Sequence, residues 1–272
     1  MPGYRPFWES PTGDVIHLSL DPDSDSGIWI AGYSGMEVDP EFAAVAATNG
    51  RGVRLTALTV PAMEASLTLH LDPVAADLAG VNVADLWESV SRAFPPTRQG
   101  RLVITQRNGD ELYTPGYCNK PIAWPSSKSP YTPGIPSVEV EVGLLLNEGV
   151  WYGSPVKPEP AAGGYVAYHN PGDLDAYLEL ELLPGATART FRVRDKPSVV
   201  LPTVTSARTM SLDPGDAFKI IDPVTGALDQ TAWTSLRGRT IPGRVPAGGT
   251  VEVLMSSTVK ATLTPMYLSP WR

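Results

Sequence analysis

Apolar and polar positions alternate with a period of two through much of the chain, the pattern of strands buried on one face. The clearest instance sets Ala65, Leu67, Leu69 and Leu71 against Ser66, Thr68 and His70. Val138, Val140 and Val142 alternate in the same way with Glu139 and Glu141, and the run continues into Leu144 and Leu146. Shorter strand patterns cover 15–20, 28–30 and 53–59. Leu102 and Ile104 are followed by Asn108-Gly109 and then by Leu112 and Tyr113, which predicts a hairpin with a tight turn. One segment departs from period two. Val83, Leu86, Trp87, Val90 and Phe94 share one stripe at helical spacing. Asn82 can cap this segment, Asp85 favours the positive end of the helix dipole, and Pro95-Pro96 stops it. An amphipathic helix is therefore predicted over 83–94, packed on a sheet through Leu86, Trp87 and Val90. Residues 39–50 carry conflicting signals and read equally as a short helix or a loop.

The pattern changes in the middle of the chain. Pro155, Pro158, Pro160 and Gly163-Gly164 fall in a stretch with almost no large apolar residue, the composition of a linker. This divides the chain into an N-terminal domain over 1–153, a linker over 154–164 and a C-terminal domain over 165–272. The second domain holds short strand candidates at 165–168, 177–183, 190–193, 199–201, 209–212, 218–221, 251–255 and 258–266. Their spacing is that of a β-sandwich. The 272 residues suffice for two cores, and 28 prolines with 25 glycines exclude an all-helical fold. The expected class is mostly β with one packed amphipathic helix.

Charge and reactive residues narrow the function. A net charge of -8 repels phosphate backbones and argues against a sequence-reading nucleic-acid binder. Cys118 is the single cysteine, so neither an internal disulfide nor a cysteine zinc cluster can form. No apolar run opens the chain and none reaches membrane-spanning length, so neither a secretory signal nor membrane insertion is expected. The histidines, His17, His70 and His169, lie far apart in strand-like surroundings. Gly32-Tyr33-Ser34-Gly35 resembles a nucleophile elbow, but Met36 stands where the motif requires glycine, and the stretch reads as a turn. Cys118 has no nearby histidine and reads as a small packing residue.

Asp21, Asp23 and Asp25 have an alternate spacing that can surround calcium. Ser26 and Gly32 stand where an EF-hand needs glycine and glutamate, so a solvated acidic turn is the expectation. No glycine-rich phosphate loop occurs. No catalytic residue, metal ligand or cofactor is assigned, and no enzymatic activity is expected. Trp124, Trp151, Trp233 and Trp271 sit in loop-like or terminal context. Trp233, with Asp229, Gln230 and Arg237 close in sequence, is the candidate for a glycan contact. Trp271 is expected to close the edge of the C-terminal sandwich. The residues alone thus describe a soluble, acidic, two-domain β protein with no visible active site.

Several landmarks carry a resemblance. The N-terminal half runs from short strands through the 83–94 helix to Gly100-Arg101-Leu102-Val103-Ile104-Thr105, a tight Asn-Gly turn, a long loop, and Gly149-Val150-Trp151-Tyr152-Gly153. The second half has Tyr168-His169-Asn170-Pro171-Gly172-Asp173, then Asp213-Pro214-Gly215-Asp216 and Ile220-Ile221-Asp222. A Pro246-Ala247-Gly248 turn and a closing Pro270-Trp271 follow. Together they resemble the distal tail proteins of siphophages, particularly those of actinobacterial phages, over nearly the whole chain. The resemblance implies a virion structural protein at the tail tip, assembled in the host cytoplasm. Its N-terminal β-sandwich or split-barrel-like domains would join into a homohexameric ring between the tail tube protein and the tail-tip hub protein. The tape measure protein and then DNA would pass through the lumen without specific binding. The C-terminal domain would be a galectin-like β-sandwich. The alternative is an adhesin that holds host surface glycans through that sandwich. The family supplies no catalytic residues to carry over.

Overall fold

The computed structural model describes residues 3–271 except 22–24, 47–52, 75–77, 79, 133 and 159–163, and for 46 and 53–57 the backbone alone. The chain is mostly β and divides into two compact units, Met1–Tyr152 with Leu268–Arg272, and Gly153–Tyr267.

The first unit contains β1 (Arg5–Glu9), β2 (Val15–His17), β3 (Ile28–Ser34), β4 (Glu41–Ala46), β5 (Val53–Thr59), β6 (Met63–Leu71), α1 (Val83–Ala93), β7 (Gln99–Thr105), β8 (Glu111–Cys118), β9 (Val138–Leu146) and β10 (Trp151–Tyr152). Its antiparallel sheet runs in the order β2-β1-β7-β8-β9-β6-β3. The period-two stretches behave as their pattern requires. Leu67, Leu69 and Leu71 of β6 and Val142, Leu144 and Leu146 of β9 are fully buried, while Ser66, Thr68 and His70 stay partly exposed. The β7–β8 hairpin turns at Gly109, whose φ is +89°. β8 and β9 share only the pairs Tyr117↔Leu145 and Cys118↔Leu144, so the sheet has two halves joined at one corner.

Helix α1 packs against β2 of one half and β6 of the other. Its start is a full capping box: Asn82 accepts from the Asp85 amide at 3.1 Å and the Asp85 carboxylate accepts from the Asn82 amide at 2.9 Å. Val83, Ala84, Leu86, Val90 and Ala93 form its buried face. Trp87 differs from the expectation. It is half-buried and turned toward the loop between β8 and β9, its ring edge-on to Trp124 with centroids 5.6 Å apart. The sheet-facing aromatic is instead Phe94, the C-cap, which stacks on Trp8 of β1 at 4.6 Å. β1 has no counterpart in the sequence-based reading. Residues 41–46, an open choice between helix and loop, are strand and pair with β5.

The second unit contains β11 (Val166–His169), β12 (Ala176–Leu182), β13 (Arg189–Val193), β14 (Val199–Leu201), β15 (Arg208–Ser211), β16 (Ile220–Ile221), α2 (Gln230–Thr234), β17 (Arg244–Val245), β18 (Thr250–Met255), β19 (Val259–Leu263) and β20 (Met266–Tyr267). One sheet has the order β11-β18-β13-β14; the other has β16-β15-β12, with β17 and β19 also paired to β12. Tyr168, Phe191 and Val253 of the first sheet and Leu178, Leu180, Met210 and Leu263 of the second belong to one buried cluster. That shared core makes the unit a sandwich.

The boundaries differ from those expected. Within the segment read as a linker, Val156 exchanges backbone hydrogen bonds of 2.8 and 3.1 Å with Leu263 of β19, and 159–163 lie outside the described residues. The last stretch, Leu268–Arg272, returns to the first unit. Leu268 accepts from the Val38 amide at 3.1 Å, and Pro270 accepts from the Gln106 side-chain amide at 2.8 Å. Trp271 does not close the sandwich edge; it packs on Tyr4 and Tyr33 of the first unit, with centroids 5.5 and 5.1 Å away.

This strap makes a prediction. Deleting 268–272 should destabilise the first unit by about 1–3 kcal/mol, because the buried Gln106 amide loses an acceptor. Amide exchange should accelerate at Val38 and stay unchanged across 176–263. Unaltered protection at Val38 would remove the strap's structural role.

Candidate functional site

The four residues read as a glycan contact fall together around α2. Asp229 is the N-cap and accepts from the Ala232 amide at 3.0 Å, while its other oxygen takes the Arg208 guanidinium at 3.2 Å. Gln230 turns along the helix to the Thr234 hydroxyl at 3.3 Å. Trp233 is half-buried; its Nε1 donates to the Ala217 carbonyl at 2.9 Å, and the Arg237 guanidinium lies 5.4 Å above its ring. The carboxylate of Asp229 is thus taken up by the helix cap and Arg208, Gln230 stays exposed along the helix, and a cation covers one indole face. What the cluster does is cap a short helix and fix a surface turn. Arg208 ties it to Asp222 at 2.9 Å. The amides of Thr225 and Val224, with that guanidinium, hold the Asp222 carboxyl below the usual carboxylate range.

The other reactive candidates are dispersed. His17 lies near Phe7, with ring centroids 6.1 Å apart. His70 stacks on Trp29 at 4.3 Å, with Glu139 3.5 Å from its Nδ1. His169 contacts the Thr250 hydroxyl at 3.2 Å. Each imidazole has its own neighbour, set by cross-strand register. Ser34 is the last residue of β3, and the bend expected around it falls at Gly35, where φ is +68°. Cys118 is buried and its thiol points to the Lys120 carbonyl at 2.9 Å; burial pushes its pKa up, which disfavours the thiolate. Asp23 of the acidic turn lies outside the described residues, and among the described residues no three metal-type ligands converge.

Two tryptophans organise the first unit: Trp8, which no sequence pattern singled out, and Trp151, whose context looked loop-like. Trp8 and Trp151 are both fully buried. Trp8 donates to the Ala93 carbonyl at 2.7 Å and Trp151 to the Met36 carbonyl at 2.9 Å. A signal existed for Trp151, which follows Val150 and precedes Tyr152 directly after a Gly149 turn. For Trp8, flanked by Phe7 and Glu9, nothing local marked burial.

Neither a known protein family nor a curated protein matches the sequence. Solved structures do match. The crystal structure of the Dit protein of phage SPP1, described as a paradigm of the hub adsorption apparatus in Gram-positive infecting phages, aligns with a TM-score of 0.60 at 12% identity. It covers 97% of this chain and 99% of that one. The chain has the fold of a phage distal tail protein. A component of the phage P2 baseplate, in its activated conformation with Ca, aligns with a TM-score of 0.50 at 9% identity, over 96% of this chain and 98% of that one. The Dit fold here extends across the β-rich first unit and the sandwich alike. At such identities it is the backbone arrangement that is shared, and the side-chain contacts above are this chain's own.

Proposed function

We propose that this chain is a structural subunit of a phage tail tip that closes with copies of itself into a hexameric ring. The observation that carries the reading is coverage: the Dit match takes in 97% of this chain and 99% of the SPP1 protein. In this reading the ring joins the tail tube protein to the hub protein and passes the tape measure and DNA. The sandwich, galectin-like, stands outward as a spacer. The physical chemistry of the chain supports it. The strand path of the first unit ends in β2 and β3; Ser19, just after β2, bonds to Ile28 and Ile30 of β3, and what remains of these edges can be covered when subunits join head to tail. A net charge of -8 suits a passage that must not hold phosphates. Dispersed histidines and a buried thiol whose pKa burial pushes up accord with a role that is structural and not enzymatic.

The test is averaged imaging of tail tips with this subunit tagged, together with the native mass of the purified protein. Six-fold density for this chain at the junction of tube and tip is the expected result. A strictly monomeric mass combined with tips that lack such density would remove the ring.

A further inference from the structure

The second unit gathers cations along one edge. β14 stands at the end of the sheet order β11-β18-β13-β14. Between 190 and 200 the sequence sets Arg192, Arg194 and Lys196 around a single acid, Asp195. From 230 to 251 it has Arg237, Arg239 and Arg244 and no acid, in a chain of net charge -8. Strand pairing brings these two segments together. Val200 of β14 is the cross-strand partner of Thr190, and Arg192, two residues further along β13, lies on the same face. Arg192 Nε donates to the Lys196 carbonyl at 3.1 Å, and Arg239 Nη1 donates to the Val200 carbonyl at 2.7 Å. Arg192, Lys196, Arg237 and Arg239 are all exposed.

What sets these four apart is that their charge is unspent. Arg194 pairs with Glu252, Arg208 with Asp222 and Asp229, Arg244 with Asp175, and Lys260 with Glu181. Among the described residues no carboxylate pairs with Arg192, Lys196, Arg237 or Arg239. Their guanidiniums are nonetheless held in place. Arg192 is fixed by the Lys196 carbonyl and Arg239 by the Val200 carbonyl, while Arg237 lies 5.4 Å above the Trp233 ring. Those contacts leave most of the N–H donors of each fork unused. A charged group that is anchored but not neutralised loses little freedom when an anion arrives.

Charge and composition select the occupant. The complement of this edge is anionic. A folded acidic partner would also need an apolar anchor at the centre of its contact. Val200, at 50% exposure, is the one exposed large apolar side chain in the two segments. Cations strung along 192–196 and 237–239 suit an extended, solvated chain instead. The planar fork of arginine matches the oxygens of a phosphate two at a time. We propose that the β14 edge of the second unit binds a linear polymer linked by phosphates, through Arg192, Lys196, Arg237 and Arg239. Either a nucleic-acid strand or a phosphate-linked surface polymer supplies that chemistry. The inference does not depend on the ring reading above.

The test uses the full-length chain, with long-chain inorganic polyphosphate as the probe. Arg192→Gln, Lys196→Gln and Arg237→Gln together should weaken binding by roughly tenfold or more at physiological salt. The slope of log affinity against log salt should fall by about two, as when three phosphate contacts to a single strand are lost. Arg239 is kept because it holds β14. Lys128→Gln, Lys157→Gln and Lys219→Gln together remove the same charge elsewhere and should leave affinity and slope nearly unchanged. In the wild-type chain, bound polyphosphate should shield Lys196 from acetylation while Lys157 and Lys219 react as before. This measurement decides the matter if the first variant fails to fold. A single-stranded oligonucleotide and poly(glycerol phosphate) then separate the two sources, the tighter ligand naming the class. Three results overturn the proposal: no binding of polyphosphate at physiological salt, an equal loss in the lysine variant, or polyglutamate held as tightly as polyphosphate, the mark of an acidic protein partner.

Discussion

Replacing Trp8 by alanine is expected to cost the first unit about 3–5 kcal/mol, the range for emptying a large buried aromatic site. The indole is fully buried, stacks on Phe94 with an interplanar angle of 19°, and donates to the Ala93 carbonyl. That carbonyl is in the last turn of α1, where helix carbonyls lack intrahelical partners. One side chain thus fills volume, stacks on the helix C-cap and satisfies the helix end. Gly100 of β7 is shaped around it: a side-chain carbon there would stand 2.2 Å from the indole, so Gly100→Ala should destabilise through overpacking at the same place. Trp87→Ala is the internal control. Trp87 is half-buried and its Nε1 lies buried without an acceptor, so its removal should cost only about 1–2 kcal/mol. Denaturant midpoints of the three variants measure this order. Equal losses at Trp8 and Trp87 would undo the assignment of Trp8 as the anchor between sheet and helix.

The second unit has its own keystone in Arg189. The residue is fully buried, and its acceptors are carbonyls and a hydroxyl. Nη1 donates to Pro202 at 2.7 Å, Nη2 to Leu183 and to Gly185, and Nε to the Thr258 hydroxyl at 3.3 Å. The guanidinium therefore ties the 183–185 turn, the segment after β14 and the residue just before β19 to β13. Burial draws its pKa down from the usual arginine value. Arg189→Met should cost about 2–4 kcal/mol, since several carbonyls lose their donor together and only some can be reached by water. Arg189→Lys should recover little of that loss, because an ammonium on a single stem cannot span acceptors on three segments as the planar fork does. Hydrogen exchange should rise across 183–202 and 256–263 in both variants while the first unit keeps its protection. A lysine variant as protected as the parent would show that charge alone, and not the shape of the fork, is what the site requires.

The sequence by itself determined the elements whose cause is local. Period two marked β6 and β9, the Asn108-Gly109 pair marked the β7–β8 turn, and Asn82 with Asp85 marked the start of α1, because each depends on neighbours within a turn or a strand. The class of fold followed, as did the absence of a recognisable catalytic motif. The tertiary structure decided which apolar side chains meet. Trp8 and its acceptor Ala93 are 85 residues apart, and Gln106 and its acceptor Pro270 are 164 apart. β1 carries a proline, and the 41–46 strand is rich in alanine; both become strands through pairing that their own composition does not favour. The candidate residues around Trp233 lie close together in sequence and in space, but only the fold spends Asp229 on a helix cap and Arg208. Local pattern says that a face is apolar. Which face covers it, and which side chains stay exposed as Phe42 and Val45 do, is settled by contacts that the chain makes only once it has closed on itself.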